Sequence, residues 1–380
     1  MLIETIRKEC TGCTACSAVC PKQCIKIEFD QEGFYYPCID HLKCIKCKKC
    51  EQVCHCLNTQ EITVDKTSFY GFHKDENIRE KSTSGGAFYA LAEKILADKG
   101  NVYGAAFNYT SLLLEHKSTD EVGLLPLLKS KYSESYMGDI ICKINNDLQN
   151  GRRVLFCGTP CQVSGLKKAI NDPNGLLVTC DFICHGVPSA QLLKEHIRYL
   201  KPKEKITEIN FRPKEYGWNQ KILVIKTENK PFVIDHSYDS FYRGFIINNV
   251  FLRQSCYNCK FRETHYSDIT IADFWGCKDY DSTINDNKGL SLIVTNNKRG
   301  YDLVDSIENF EIHNIDNKFS DYVYKKKDFS QALPLREQFY LYREKYGFEK
   351  AAGKTYMKGY KFKYLIHCLK KKLKKLFGGK

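Results

Sequence analysis

Cys10, Cys13, Cys16 and Cys20 follow one another at C-x2-C-x2-C-x3-C spacing, and the same spacing returns at Cys44, Cys47, Cys50 and Cys54. Four thiolates are what the iron corners of a 4Fe-4S cubane require. Two-residue gaps let one tight loop supply three of them, and in a doubled run the fourth cysteine serves the other cluster. The spacing therefore predicts one cluster on Cys10, Cys13, Cys16 and Cys54, and a second on Cys44, Cys47, Cys50 and Cys20. A zinc ribbon would use two C-x2-C pairs, not three evenly spaced cysteines followed by a fourth. A disulfide framework belongs to secreted chains, and Met1–Lys8 has no apolar core of a secretion signal. One position breaks the repeat: Pro21 follows Cys20, but His55 follows Cys54. A looser second turn is expected there, with no ligand lost.

The elements that must position these thiols follow from periodicity. Cys24–Pro37 alternates apolar and polar residues around a turn at Asp30–Gly33, which reads as a hairpin joining the two halves. Cys24, Cys38 and Cys56 are left over and read as buried structural thiols. Residues 57–66 are polar and read as a linker. Strands are then expected at Phe69–His73, Val102–Phe107, Arg153–Phe156 and Leu176–Asp181. They alternate with helical patterns in Lys81–Leu96, Glu134–Gln149, Val163–Ile170 and Ala190–Leu200. Thr83 or Ser84 can cap the first of these helices. Such alternation predicts an α/β layer. Short β runs follow from Ile206 to Asp235, with a further strand at Ser291–Thr295.

A second group of cysteines lies beyond the doubled run. Cys161, Cys184, Cys256 and Cys259 each sit near turn residues, and the last two form a C-x2-C half-site for zinc or an iron–sulfur cluster. Spacing alone leaves that set open. Ser84-Gly85-Gly86 opens a helix, where free N–H groups and the positive dipole end suit a pyrophosphate. On the residues alone an ordinary N-cap is the preferred reading.

Taken in order, Ser84-Gly-Gly86, Lys131-Tyr132, Gly158-Thr-Pro-Cys-Gln162, Cys184-His-Gly-Val-Pro-Ser189, Ser255-Cys-Tyr-Asn-Cys-Lys260, Asp273-Phe-Trp-Gly276 and Gly289-Leu-Ser291 form a constellation. It resembles the beta subunit of coenzyme F420 hydrogenases and dehydrogenases, here with an N-terminal two-cluster ferredoxin domain. The resemblance implies an α+β chain: a ferredoxin-type domain over residues 1–60, then an α/β-containing flavin and iron–sulfur domain in two parts, 67–150 and 151–330. It implies a third 4Fe-4S cluster on Cys161, Cys184, Cys256 and Cys259. It also implies FAD at Ser84, Gly85, Gly86, Lys131 and Tyr132, with Asp273, Trp275 and Ser291 beside them. Lys131 would neutralise phosphate and Tyr132 would pack on the ring system. His185 would be a proton donor, unless it only orients its own turn. Flavins exchange two-electron hydride chemistry for single electrons, and clusters carry one electron at a time. The expected function is a flavin-dependent iron–sulfur oxidoreductase working between a soluble hydride carrier, or another reducible substrate, and a redox partner protein. The alternative is a non-catalytic relay subunit that docks a separate enzyme. Members of the family also resemble bacterial proteins of surface-polysaccharide synthesis, which is the context the alternative would suit.

Composition sets the outer bounds. Of 380 residues, 43% are hydrophobic and 13% aromatic, enough for packed cores. Twenty cysteines without a secretion signal fit a reducing cytoplasm, where thiols bind metals. No run of 18 apolar residues occurs, so no membrane span is expected. Net charge is +13, but residues 351–380 hold ten lysines and no acid, which leaves +3 for the rest. Leu365, Leu369, Leu373, Leu376 and Phe377 repeat every three or four residues among those lysines. A basic amphipathic helix lying on the anionic inner face of a membrane is expected from that tail. Nucleic-acid binding is not, because no reading module accompanies the lysines.

Overall fold

The computed structural model describes residues 2–58, 65–200, 204–325 and 327–360. Fourteen strands are assigned there: β1 Ile25–Phe29, β2 Tyr35–Ile39, β3 Thr67–His73, β4 Asn101–Asn108, β5 Leu113–Ser118, β6 Ser135–Tyr136, β7 Val154–Cys157, β8 Leu177–Phe182, β9 Ile206–Asn210, β10 Ile222–Thr227, β11 Phe232–Asp235, β12 Ile269–Asp273, β13 Ser291–Thr295 and β14 Phe310–Ile315. Nine of them form one sheet in the order β14-β3-β13-β12-β8-β7-β4-β5-β6. Its centre, β12-β8-β7-β4, is parallel. β13, β3 and β14 extend one side antiparallel, and β5 pairs antiparallel with β4 on the other. The central strands read as apolar runs (Val-Leu-Phe-Cys, Leu-Val-Thr-Cys) because helices cover both faces of a parallel sheet. The chain is thus α+β with a large mixed sheet.

The helices Ala87–Ala97, Pro160–Ala169 and Ala190–Leu200 stand close to their expected places. Pro160–Ala169 starts three residues before the periodicity suggested, because Thr159 and Gln162 make a capping box and Pro160 takes the first turn. Cys161 therefore sits at a helix start. The helix expected from Glu134 begins only at Ile140. Before it, Glu134 N–H is bound to Pro188 C=O at 3.1 Å, β6 is formed, and Gly138 turns the chain at φ 54°.

The N-terminal region has a small apolar core of its own: Ile3, Cys16, Cys24, Ile25 and Cys50. It gains the rest of its burial from the body. Ala15 belongs to a shared core with Tyr103, Phe156, Val163 and Leu166. Ser189 Oγ donates to Glu32 and Gly33 carbonyls at the hairpin turn, and Arg336 forms an ion pair with Glu32. Near the other end, Phe339, Phe348, Ala351 and Ala352 are buried against Phe241 and Phe251. The first residues of the expected basic tail thus belong to the core, and the amphipathic stretch from residue 361 lies outside the described residues. Among the described residues, no helix is long and apolar enough to cross a membrane.

Candidate iron–sulfur and flavin sites

The two cysteine runs share one backbone. Gly12 and Thr14 hold positive φ (73° and 62°), and so do their counterparts Lys46 and Lys48 (56° and 61°). Each run then enters a single helical turn, Ala15–Ala18 or Lys49–Gln52. Positive φ twice in three residues curls the loop so that successive thiols point to one centre.

Cys10, Cys13, Cys16 and Cys54 come together. Burial pushes the Cys13 thiol up to about 12, and the neighbouring Cys10 and Cys54 add to the effect. Cys16 is raised too, by burial and then by Cys13, Cys10, Cys54 and Cys50. Cys54 instead falls to about 6, because the Cys56 thiol hydrogen-bonds it. Four thiols crowded this way ionise together only around a compensating cation, as a cluster's irons provide. His55 does not loosen its turn as expected. It is buried, Nε2 lies 2.9 Å from Thr11 Oγ1, and its ring packs on Phe261 at 4.5 Å. Gly165 lies so near that an added Cβ would stand 2.6 Å from both Cys13 Cβ and Sγ. One helical turn separates Gly165 from Cys161, so the helix Pro160–Ala169 spans two cysteine sites.

Cys20, Cys44, Cys47 and Cys50 wall a second cavity together with Pro21, Lys22, Ile45 and Lys49. Cys24 lines it as well, its Sγ 3.4 Å from that of Cys20. It is buried, but at the site rather than apart from it. Cys38 is exposed, contrary to expectation, and Cys56, half-buried beside Cys54, has its Sγ 3.2 Å from Glu9 C=O.

Cys161, Cys184, Cys256 and Cys259 line one cavity, although β8, the helix Ala190–Leu200 and the sheet β9-β10-β11 intervene in sequence. Burial, then Cys259, raises Cys184 to about 11; burial, then Cys184 and Cys259, raises Cys256 to about 12. Val187 N–H points at Cys256 Sγ (3.5 Å) and Thr159 Oγ1 lies 3.1 Å from Cys161 Sγ. Such N–H and O–H contacts are the groups that tune a cluster's sulfurs. Among the described residues, no three His, Cys, Asp or Glu side chains close on a single-ion position. The thiols stand around a space instead.

Arg253 joins the first and third sites, and nothing in the spacing of the motifs pointed to it. Fully buried, it lines the cavity of Cys161, Cys184 and Cys256. Its Nε donates to Cys10 C=O at 2.7 Å, Nη2 to Tyr35 C=O at 2.8 Å, and Nη2 lies 3.7 Å from Cys10 Sγ. Nη1 donates to Glu134. Burial pushes the Glu134 carboxyl up to about 7, with Arg253 pulling it back.

The expected flavin residues also converge, around the start of β13. Ser84 Oγ donates to Leu290 C=O, Ser291 Oγ accepts from Ala87 N–H, and Ser130 N–H donates to Thr83 Oγ1 at 2.8 Å. Several are already engaged by the protein. Gly85 is a glycine because Gly71 C=O and Ser291 N would stand 2.3 and 2.7 Å from a Cβ. Lys131 Nζ caps the carbonyls of Leu127, Leu128 and Lys129, and burial lowers it to about 7. Tyr132 packs on Phe211 and Phe245. Asp273 pairs with Arg212, and Trp275, half exposed, stacks on Trp218 at 4.7 Å. Arg212 and Lys214 also stand here, unmarked by the motifs; Lys214 Nζ donates to the Arg79 and Ser84 carbonyls, and burial lowers it to about 7. His185 stands aside: Nε2 meets Asn249 Oδ1 at 2.7 Å, and burial lowers it to about 4. Phe245 contacts both His185 and Tyr132.

A mixed α/β sheet carrying cysteine-walled cavities defines the class to which this molecule belongs. Residues 151–318 match the family described as the C terminus of the coenzyme F420 hydrogenase/dehydrogenase beta subunit. That is the family whose resemblance the motifs carried, and the matched stretch holds Cys161, Cys184, Cys256 and Cys259. Among solved structures, a chain from a xenon-derivatization study of the F420-reducing NiFe hydrogenase complex of Methanosarcina barkeri is similar. The identity is 15% and the TM-score 0.46, over 74% of this chain and 94% of that one. No curated protein matches the chain.

Proposed function

We propose that the chain is an iron–sulfur flavoprotein that exchanges electrons between a hydride donor or acceptor and a one-electron partner. The observation that carries this reading is the convergence of Cys161, Cys184, Cys256 and Cys259 on one cavity whose wall includes Thr11 and Arg253 of the neighbouring site. Three 4Fe-4S clusters would then stand in a row. Their holders are Cys161, Cys184, Cys256 and Cys259; then Cys10, Cys13, Cys16 and Cys54; then Cys44, Cys47, Cys50 and Cys20. Cubanes supply one-electron steps, and FAD would supply the exchange between hydride and single electrons. Support for FAD is the meeting of Ser84–Gly86, Asp273, Trp275 and Ser291 beside Arg212 and Lys214. Trp275 is half exposed at this wall, with Trp218 stacked on it and Arg212 over its ring, and the Arg212 guanidinium is the cation that would meet a diphosphate. Lys131 and Tyr132 serve here as props of that wall, since their polar or aromatic faces are taken by the protein. His185, tied to Asn249 and held neutral, positions the Cys184 turn.

The residues themselves partly bury the first and third sites, and the Val187 N–H and the Arg253 guanidinium point at Cys256 and Cys10 sulfur. Anaerobic purification tests the reading. Iron near twelve per chain, the content of three four-iron cubanes, and bound flavin are expected; Cys259→Ser should remove only one cluster's share. A chain that takes up no flavin after reconstitution leaves the relay subunit as the better reading.

A further inference from the structure

We propose that the exposed face around Cys47 docks an acidic one-electron carrier protein. The inference rests on the proposed function above and adds where electrons leave or enter, and to what kind of partner. Its basis is an asymmetry between the two cysteine runs. Thr11, Gly12, Thr14 and Ala15 of the first run correspond by position to Ile45, Lys46, Lys48 and Lys49 of the second. Gly12 has Glu134 and Arg253 against it, and Ala15 lies in the shared core. On the equivalent side of the second run, Ile45, Lys46, Lys48 and Lys49 are exposed. Ile45 is 57% exposed and Leu42, before it, 99% exposed. Cys47 is exposed, whereas its counterpart Cys13 is covered by Gly165.

Charge names the occupant. Lys22, Lys46, Lys48 and Lys49 are exposed, and among the described residues none of the four forms an ion pair. Lys43 is paired with Asp40 at 3.4 Å. Lys22, Ile45 and Lys49 also line the cavity of Cys20, Cys44, Cys47 and Cys50, so two of these lysines stand at the opening itself. An apolar centre with a cationic collar favours a partner with carboxylates around its own redox centre, and such fields steer encounter. A second copy of this chain would bring lysines against lysines. The exchange moves one electron and no atom: the electron lost by the group on Cys20, Cys44, Cys47 and Cys50 is gained by the carrier's metal centre, or the reverse.

The test uses the full, cluster-loaded chain and an acidic 2Fe-2S ferredoxin as probe, with binding read by surface plasmon resonance and electron transfer by stopped flow. Combining Lys46→Glu, Lys48→Glu and Lys49→Glu should weaken binding and slow transfer by about tenfold or more at low salt, with the difference shrinking as salt screens it. Leu42→Ala should weaken binding at all salt concentrations. Reversing Lys370, Lys371 and Lys372 in the tail should leave both unchanged. The proposal is overturned if the tail variant loses as much as the Lys46–Lys49 variant, if a basic cytochrome c binds better than the ferredoxin, or if the variant changes only self-association. Iron content and low-temperature EPR on the same samples separate the two levels. Normal clusters with unaltered binding sink the docking surface alone, whereas absence of the cluster on Cys20, Cys44, Cys47 and Cys50 sinks the function it rests on.

Discussion

Two loops with the same thiol spacing and the same positive-φ turns have opposite surroundings. The run from Cys10 is enclosed by Arg253, Glu134, Gly165 and His55, and its non-cysteine positions are small: Thr11, Gly12, Thr14, Ala15. The run from Cys44 keeps its surface, and the same positions carry Ile45, Lys46, Lys48 and Lys49. The ligand pattern alone therefore says what can be held; the residues between the ligands say what covers it. A repeat that loses its small residues in one copy has one copy facing inward and one facing outward.

The largest effect should come from removing the cation that binds the inner run to the body. Arg253→Ala leaves Glu134 buried without its partner, and breaking a buried pair in this way costs about 3–5 kcal/mol. Denaturant unfolding checks the size. The pH dependence checks the cause. Burial raises the Glu134 carboxyl, and an acid with a raised folded value makes the folded state bind more protons than the unfolded one. Stability then falls as pH rises. In the intact protein that fall runs from about pH 4.5, the ordinary value, to about pH 7, the folded one; without Arg253 it should continue above pH 7, so the penalty should be smaller at pH 5 than at pH 8. Equal penalties at both would mean that Glu134 is not the group left uncompensated. Iron bound by the outer run should persist in this variant.

A smaller loss is expected from filling the contact between the helix Pro160–Ala169 and the first run. Gly165→Val puts side-chain atoms where Cys13 Cβ and Sγ already stand, 2.6 Å from the first added carbon. Overpacking of this kind costs about 1–3 kcal/mol. Because Gly165 and Cys161 share one helix, iron at the first and third sites should become labile to chelator together. Loss confined to the outer run would contradict the arrangement.

The doubled motif and most strands were legible from spacing and periodicity, since ligand geometry and apolar runs are local. The helix expected at Glu134 was misread because its apolar positions from Ile140 onward extend smoothly backwards in sequence. The chain instead turns at Gly138 and binds Glu134 to Pro188 and Arg253. Those contacts join residues more than fifty positions apart and leave no periodic trace. β5 and β14 were missed for a related reason: they pair with β4 and β3 at the flanks of the sheet, where exposed polar residues dilute the pattern. Arg253 illustrates the general limit, because a lone arginine in Leu-Arg-Gln-Ser has no signature until the fold sets Cys10 and Tyr35 beside it. Lys131 shows the converse. Its place in a motif suggested phosphate, yet three carbonyls hold it.

The finest distinction between the runs lies at one pair of equivalent positions. Gly12 has φ 73° and Lys46 has φ 56°, so both occupy the left-handed region that disfavours a Cβ. In Gly12→Ala the new carbon would also meet Glu134 Oε1 at 2.9 Å and Arg253 Nη1 at 3.0 Å. The left-handed conformation alone costs roughly 1–2 kcal/mol for a residue with a Cβ, and the contacts with two fixed, paired groups add to it. Lys46 already bears that strain in open solvent. Lys46→Ala should therefore be neutral to within about 0.5 kcal/mol, and Lys46→Gly should stabilise slightly. Unfolding midpoints of the three variants measured side by side make the comparison. If Gly12→Ala proves as mild as Lys46→Ala, the inner loop is not pressed against Arg253 and Glu134, and the difference in surroundings from which the outward-facing role of the second run was argued is lost.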